Sequence, residues 1–75
     1  MSRFEHDGKT YEYDPDALRE YGTIKALSLA GGLGEYFKAV ERVFCGHDGE
    51  YFADATMDDV GGAVTAAIKA AGAKN

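Results

Sequence analysis

The chain is predicted to be a small α+β domain: an N-terminal β-hairpin over about residues 3–13, then a mostly α-helical bundle of three to five short helices. Three observations lead there. Asp7-Gly8 separates two short runs with aromatic residues at alternate positions, Asp14-Pro15 is a strong helix-start signal, and residues 35–45 carry a clear helical period.

The hairpin comes first. Asp-Gly tolerates the positive φ angles of a two-residue type I′ turn, and that turn fixes a register. His6 then faces Lys9, Glu5 faces Thr10, Phe4 faces Tyr11, Arg3 faces Glu12 and Ser2 faces Tyr13. Phe4, Tyr11 and Tyr13 share one face for burial, while Arg3, Glu5, Thr10 and Glu12 share the other, with Arg3 and Glu12 directly opposed.

After Asp14 the chain offers a carboxylate cap, then proline where its fixed φ suits a first helical turn, then the favourable charge of Asp16. The expectation is a short helix over 15–21 and a second over 23–30, separated by Gly22 or joined as one bent helix. Thr23 is a candidate cap there, with Ile24, Leu27 and Ala30 inward. Gly31-Gly32-Leu33-Gly34 reads as a linker. Residues 35–45 place Tyr36/Phe37, Val40 and Val43/Phe44 on a core side, with Lys38, Glu41 and Arg42 largely opposite. Gly46 is the expected stop, and His47-Asp48-Gly49 extends the break. A single turn over 50–55 presents Tyr51 and Phe52. Thr56-Met57-Asp58-Asp59 is a second cap cluster, opening a last helix over 58–71 with Val60, Val64, Ala67/Ile68 and Ala71 inward. Its glycines and alanines make it slim enough for close approach by another helix. Residues 72–75 are expected to fray, and the whole of 1–75 to form one domain.

Composition narrows the function classes. With 45% hydrophobic and 28% charged residues the chain is globular in character, and its net charge of −5 disfavours nucleic-acid backbones and anionic membranes. The one cysteine, Cys45, cannot form an internal disulfide, which fits a reducing cytoplasmic setting. No export signal opens the chain, and no apolar run approaches about 18 residues.

Motifs for chemistry are weak. His6, Cys45 and His47 lack zinc spacing, and Asp48-Gly49-Glu50 with Asp54 lacks the ligand pattern of a calcium loop. Gly31 to Gly34 lacks a phosphate-cradle pattern. Ser2, Ser28 and Cys45 have two histidines between them to draw on as a base. The expectation is therefore a non-enzyme, without metal or cofactor. Five Tyr and four Phe are the more telling feature, because a core this small leaves some of them at the surface. Tyr11, Tyr13, Tyr36, Phe37, Tyr51 and Phe52 are the candidate protein-interaction residues.

A family likeness rests on Phe4-Glu5-x-Asp7-Gly8-Lys9-x-Tyr11-Glu12-Tyr13-Asp14, on Leu18, Tyr21 and Lys25-Ala26-Leu27, on the run from Phe37 to Gly46, and on Ala73-Lys74-Asn75. Together these resemble the small tail assembly chaperones of long-tailed phages and prophages. The glycines at 31–34 and 61–62 lie outside the likeness. The resemblance implies a protein without catalytic activity, made in the cytoplasm of a bacterial host and displaced before the virion is complete. It would bind the long tape-measure protein, keep it soluble and help bring the major tail protein onto it. Self-association is a further expectation, as is a longer frameshifted product arising near Lys74-Asn75. The rival expectation is a small cytoplasmic adaptor that binds one folded partner.

Overall fold

Two left-handed residues start the fold: Asp7 at φ 55° and Gly8 at φ 78° form the expected turn. The computed structural model describes residues 2–72. Strands β1 (Ser2–His6) and β2 (Lys9–Tyr13) pair antiparallel in the register read from the turn, from Ser2 opposite Tyr13 to His6 opposite Lys9. Four helices follow: α1 (Tyr21–Leu27), α2 (Gly32–Val43), α3 (Asp48–Tyr51) and α4 (Met57–Gly72). The α+β architecture is the predicted one.

The aromatic face of the hairpin is buried on the helices. Phe4 stacks on Tyr11 at 5.2 Å and meets Tyr13 edge-on at 5.0 Å. Phe44, at the end of α2, lies 6.1 Å from Phe4, 5.8 Å from Tyr11 and 5.2 Å from Phe52. Tyr13, Val43 and Phe44 have no exposed surface. Aromatic pairs at such separations stabilise by about 0.5–1.5 kcal/mol each beyond the area they bury.

The end of α2 is closed at every carbonyl. Cys45 and Gly46 both turn left-handed, at φ 58° and 82°. The Cys45 and Gly46 amides donate to the Arg42 and Glu41 carbonyls at 3.3 and 2.9 Å, the hydrogen-bond pair of a Schellman motif. The Phe44 carbonyl accepts from the His47 amide at 3.0 Å, and the Val43 carbonyl accepts from the Asp14 amide at 2.8 Å. That last bond stitches the hairpin to the helix. A second stitch lies nearby, where the Glu12 amide donates to the Tyr51 hydroxyl at 3.0 Å.

Several expectations are corrected. The predicted helix over 15–21 is one 3₁₀ turn, Ala17–Arg19, because the Asp14 carboxylate accepts from the Asp16 amide and Glu20 returns to an extended backbone. Gly22 and Thr23 then lie within the first turn of α1, and α1 ends at Leu27, short of Ala30, with a left-handed Leu29 turning the chain after it. Thr23 is the buried residue of α1, while Ile24 is exposed. Glu20 sets that rotation: it accepts from the Thr23 hydroxyl at 3.1 Å and from Arg42 of α2 at 2.8 and 2.6 Å.

Gly32, Leu33 and Gly34 form the first turn of α2 instead of a linker. Phe37 is exposed while Tyr36 is buried. The break after Gly46 is short, and α3 occupies 48–51 in place of a turn over 50–55, with Asp48 and Glu50 favourably placed at its positive end.

The cap of α4 is as expected: the Asp59 amide donates to the Thr56 hydroxyl, and the Thr56 amide to the Asp59 carboxylate, both at 3.1 Å. Ala67 is the inward member of the Ala67/Ile68 pair. The slim face of α4 admits the hairpin, since a Cβ on Gly62 would stand 3.2 Å from His6 Nε2. Gly72 belongs to α4, and the rest of the expected frayed tail, 73–75, lies outside the described residues.

Tyr11→Ala removes the ring between Phe4, Phe44 and Phe52, and is expected to cost about 3–5 kcal/mol in urea unfolding, comparable with other large aromatic truncations in cores.

Candidate interaction surfaces

The six aromatic candidates separate into two groups. Tyr11, Tyr51 and Phe52 meet, with Tyr11 5.0 Å from Tyr51 and 5.9 Å from Phe52. Tyr36 and Phe37 touch edge-to-face at 5.6 Å on α2. Tyr13 joins the first group through Phe4. Tyr11, Tyr13 and Tyr36 are buried, and Tyr51 and Phe52 are half-buried against the core. Phe37, at 46% exposure, is the one of the six with a largely open ring.

Burial raises the Tyr11 hydroxyl above its ordinary pKa, helped by the negative charges of Asp7 and Asp59, and raises Tyr36 as well. Both rings are neutral anchors near neutral pH. The Tyr13 hydroxyl is fully enclosed and makes no hydrogen bond among the described residues.

Beside the hairpin turn, a cleft of about 250 Å³ opens between the turn and the 50–55 segment, with Tyr11, His6 and Lys9 on one wall and Glu50, Asp54 and Asp59 on the other. Its charged groups are mixed. His47 stands between two carboxylates, with Nε2 3.2 Å from a Glu12 oxygen and Nδ1 3.8 Å from Glu50. Ser28 Oγ donates to the Lys25 carbonyl at 2.5 Å, and burial, with Asp14 and Glu12, pushes the Cys45 thiol up. No three His, Cys, Asp or Glu side chains among the described residues are placed to hold a metal ion. No helix among them is long and apolar enough to cross a membrane.

Exposed large apolar side chains lie elsewhere, Met57 and Ile68 on α4 and a larger group on α1 and α2. Tyr21, Ile24, Leu29, Leu33 and Phe37 are 42–79% exposed, and all belong to α1, the turn after it or the first half of α2. Leu33 and Phe37 are four apart on α2 and so share a face, as Tyr21 and Ile24 do three apart on α1. The sequence reading singled out Phe37 alone of these five. The i, i+4 spacing of Leu33 and Phe37 is the sequence signal for this face, and the glycines at 31, 32 and 34 obscure it.

One ion pair ties this half together. Arg42 holds the Glu20 carboxyl below its usual range, chiefly through their hydrogen bonds, with Thr23 adding to the effect. Comparison with protein-family models, with curated proteins and with solved structures yields no match to this chain.

Two outcomes test this electrostatic picture. Tyr13→Phe removes an enclosed hydroxyl that has no partner among the described residues, and is expected to raise the unfolding free energy by about 1 kcal/mol. The depressed Glu20 pKa means that its contribution is present above the unfolded carboxylate pKa and lost as pH falls through the folded value. Glu20→Gln should therefore flatten part of the acid dependence of the urea midpoint between about pH 7 and about pH 3, a small effect for so exposed a pair.

Proposed function

We propose that this chain works by binding protein, as a phage tail assembly chaperone that covers the tape-measure protein and assists assembly of the tail tube without catalysis. The observation that carries the reading is the group of exposed apolar side chains on α1 and α2, Tyr21, Ile24, Leu29, Leu33 and Phe37. The likeness of the sequence to that family supplies the client. Seventy-five residues that leave this much apolar surface in water have a cost to offset, and an apolar partner offsets it.

The physical scheme is simple. A long helical client exposes apolar stripes before it is packed into a tail. Many small copies lay their apolar side chains on those stripes, an arrangement of the helix-in-groove kind in which weak contacts gain strength by repetition. The net charge of −5 on each copy keeps the coated client in solution through mutual repulsion.

Co-expression with the tape-measure protein of the same phage is the test. The client's soluble fraction should rise, and the two should co-purify with many copies of this chain per client. Leu33→Ser with Phe37→Ser should abolish co-purification while leaving the helical circular dichroism of the chain intact, since both side chains are about half exposed. No gain in solubility and no co-purification would overturn the reading. A one-to-one complex with a folded protein would replace it with an adaptor.

A further inference from the structure

The two edges of the hairpin are not equivalent. On β2 the outward amides are those of even-numbered residues, since Glu12 donates to Tyr51 and Asp14 to Val43. In this register the residues opposite Glu12 and Thr10 are Arg3 and Glu5, so the outward amides and carbonyls of β1 belong to Arg3 and Glu5. Neither residue makes a backbone hydrogen bond on that outer side among the described residues. Among the described residues the β2 edge is occupied at the Glu12 and Asp14 amides, while the β1 edge has no backbone partner at Arg3 or Glu5.

The open edge carries its own complement. Arg3 and Glu5 are both exposed, have opposite charge and flank Phe4 symmetrically. We infer that β1 pairs antiparallel with β1 of a second copy of this chain, Phe4 opposite Phe4 across a two-fold axis, joining two hairpins into a four-stranded sheet. In that register each Arg3 faces the other copy's Glu5. Their outward groups form two closely spaced pairs of backbone hydrogen bonds, four bonds in all, as geometry requires for an antiparallel ladder.

Register selection follows from charge. Moving the two-fold axis from Phe4 to Arg3 or Glu5, a slide of two residues that keeps the outward groups facing one another, sets Arg3 against Arg3 or Glu5 against Glu5, and like charges directly opposed are destabilising. Charged side chains on an edge strand ordinarily discourage pairing. Here their alternating sign favours one register. Arg3 lies 3.8 Å from Glu12 on its own hairpin and is 69% exposed, so it stands between two carboxylates in the pair. α4 does not obstruct this arrangement at Gly62, because His6 points to the core side of the sheet with Phe4, away from Arg3 and Glu5. The pairing stands apart from the client-binding reading and uses none of its residues.

Sedimentation equilibrium and amide exchange test it on the whole chain. The unmodified protein should dimerise, and its Arg3 and Glu5 amides should exchange more slowly as concentration rises. E5R and R3E should each raise the dissociation constant at least about tenfold, because each places like charges opposite one another twice. An equimolar mixture of the two should recover a heterodimer, since every facing pair is then Arg against Glu. A monomer at all concentrations, an E5R protein that pairs as tightly as the parent, or a mixture with no heterodimer would overturn the inference. So would Arg3 and Glu5 amide exchange that is indifferent to concentration, a measurement that needs no variant to fold.

Discussion

The fold depends on how α2 ends. A helix terminus leaves its last carbonyls without partners, and here four are satisfied within the chain, two of them on the buried residues Val43 and Phe44. The left-handed pair Cys45 and Gly46 closes two of them, His47 a third, and the Asp14 amide of the hairpin arm the fourth, that of Val43. The same turn drops Phe44 into the middle of the aromatic cluster. An isolated two-stranded hairpin is marginal in water, and a domain of this size has little core to spare. Docking β2 on this helix end serves both, because one junction supplies the sheet with a buried face and the helix with a hydrogen-bond donor.

Local chemistry explains what could be read from the sequence. The hairpin register needs only Asp7-Gly8 and the alternation around it, and the Thr56/Asp59 cap needs only four consecutive residues. Both are as expected. The rotation of α1 was not legible, because it is set by Glu20 reaching Arg42, 22 positions away. The choice between Tyr36 and Phe37 was likewise out of reach. Neighbouring residues on a helix point about 100° apart, and which one turns inward depends on where the hairpin sits. The glycines at 32 and 34 misled for a related reason: propensity argues against them in a helix, yet a first turn facing open space asks little of its side chains.

The consequence for the candidate surface is a division of labour among the aromatics. Those on the hairpin and around α3 build the core, and Tyr51 adds a hydroxyl that satisfies a strand amide. The apolar groups left in solvent lie mainly on α1 and the start of α2, held to the rest by the Glu20–Arg42 pair and the buried Thr23. A sequence rich in tyrosine does not by itself say which ones are structural. Their position relative to the α2 terminus does.

The Tyr51 hydroxyl on the Glu12 amide also bears on symmetry. A sheet with two free edges can add copies without limit and becomes a fibre. With the Glu12 and Asp14 amides of the β2 side taken by Tyr51 and Val43, extension is favoured at β1, and a two-fold pairing there consumes that edge. Assembly through the strands is then a closed point group of two, so a side chain that first looks like a packing detail acts as a chain terminator for β-polymerisation.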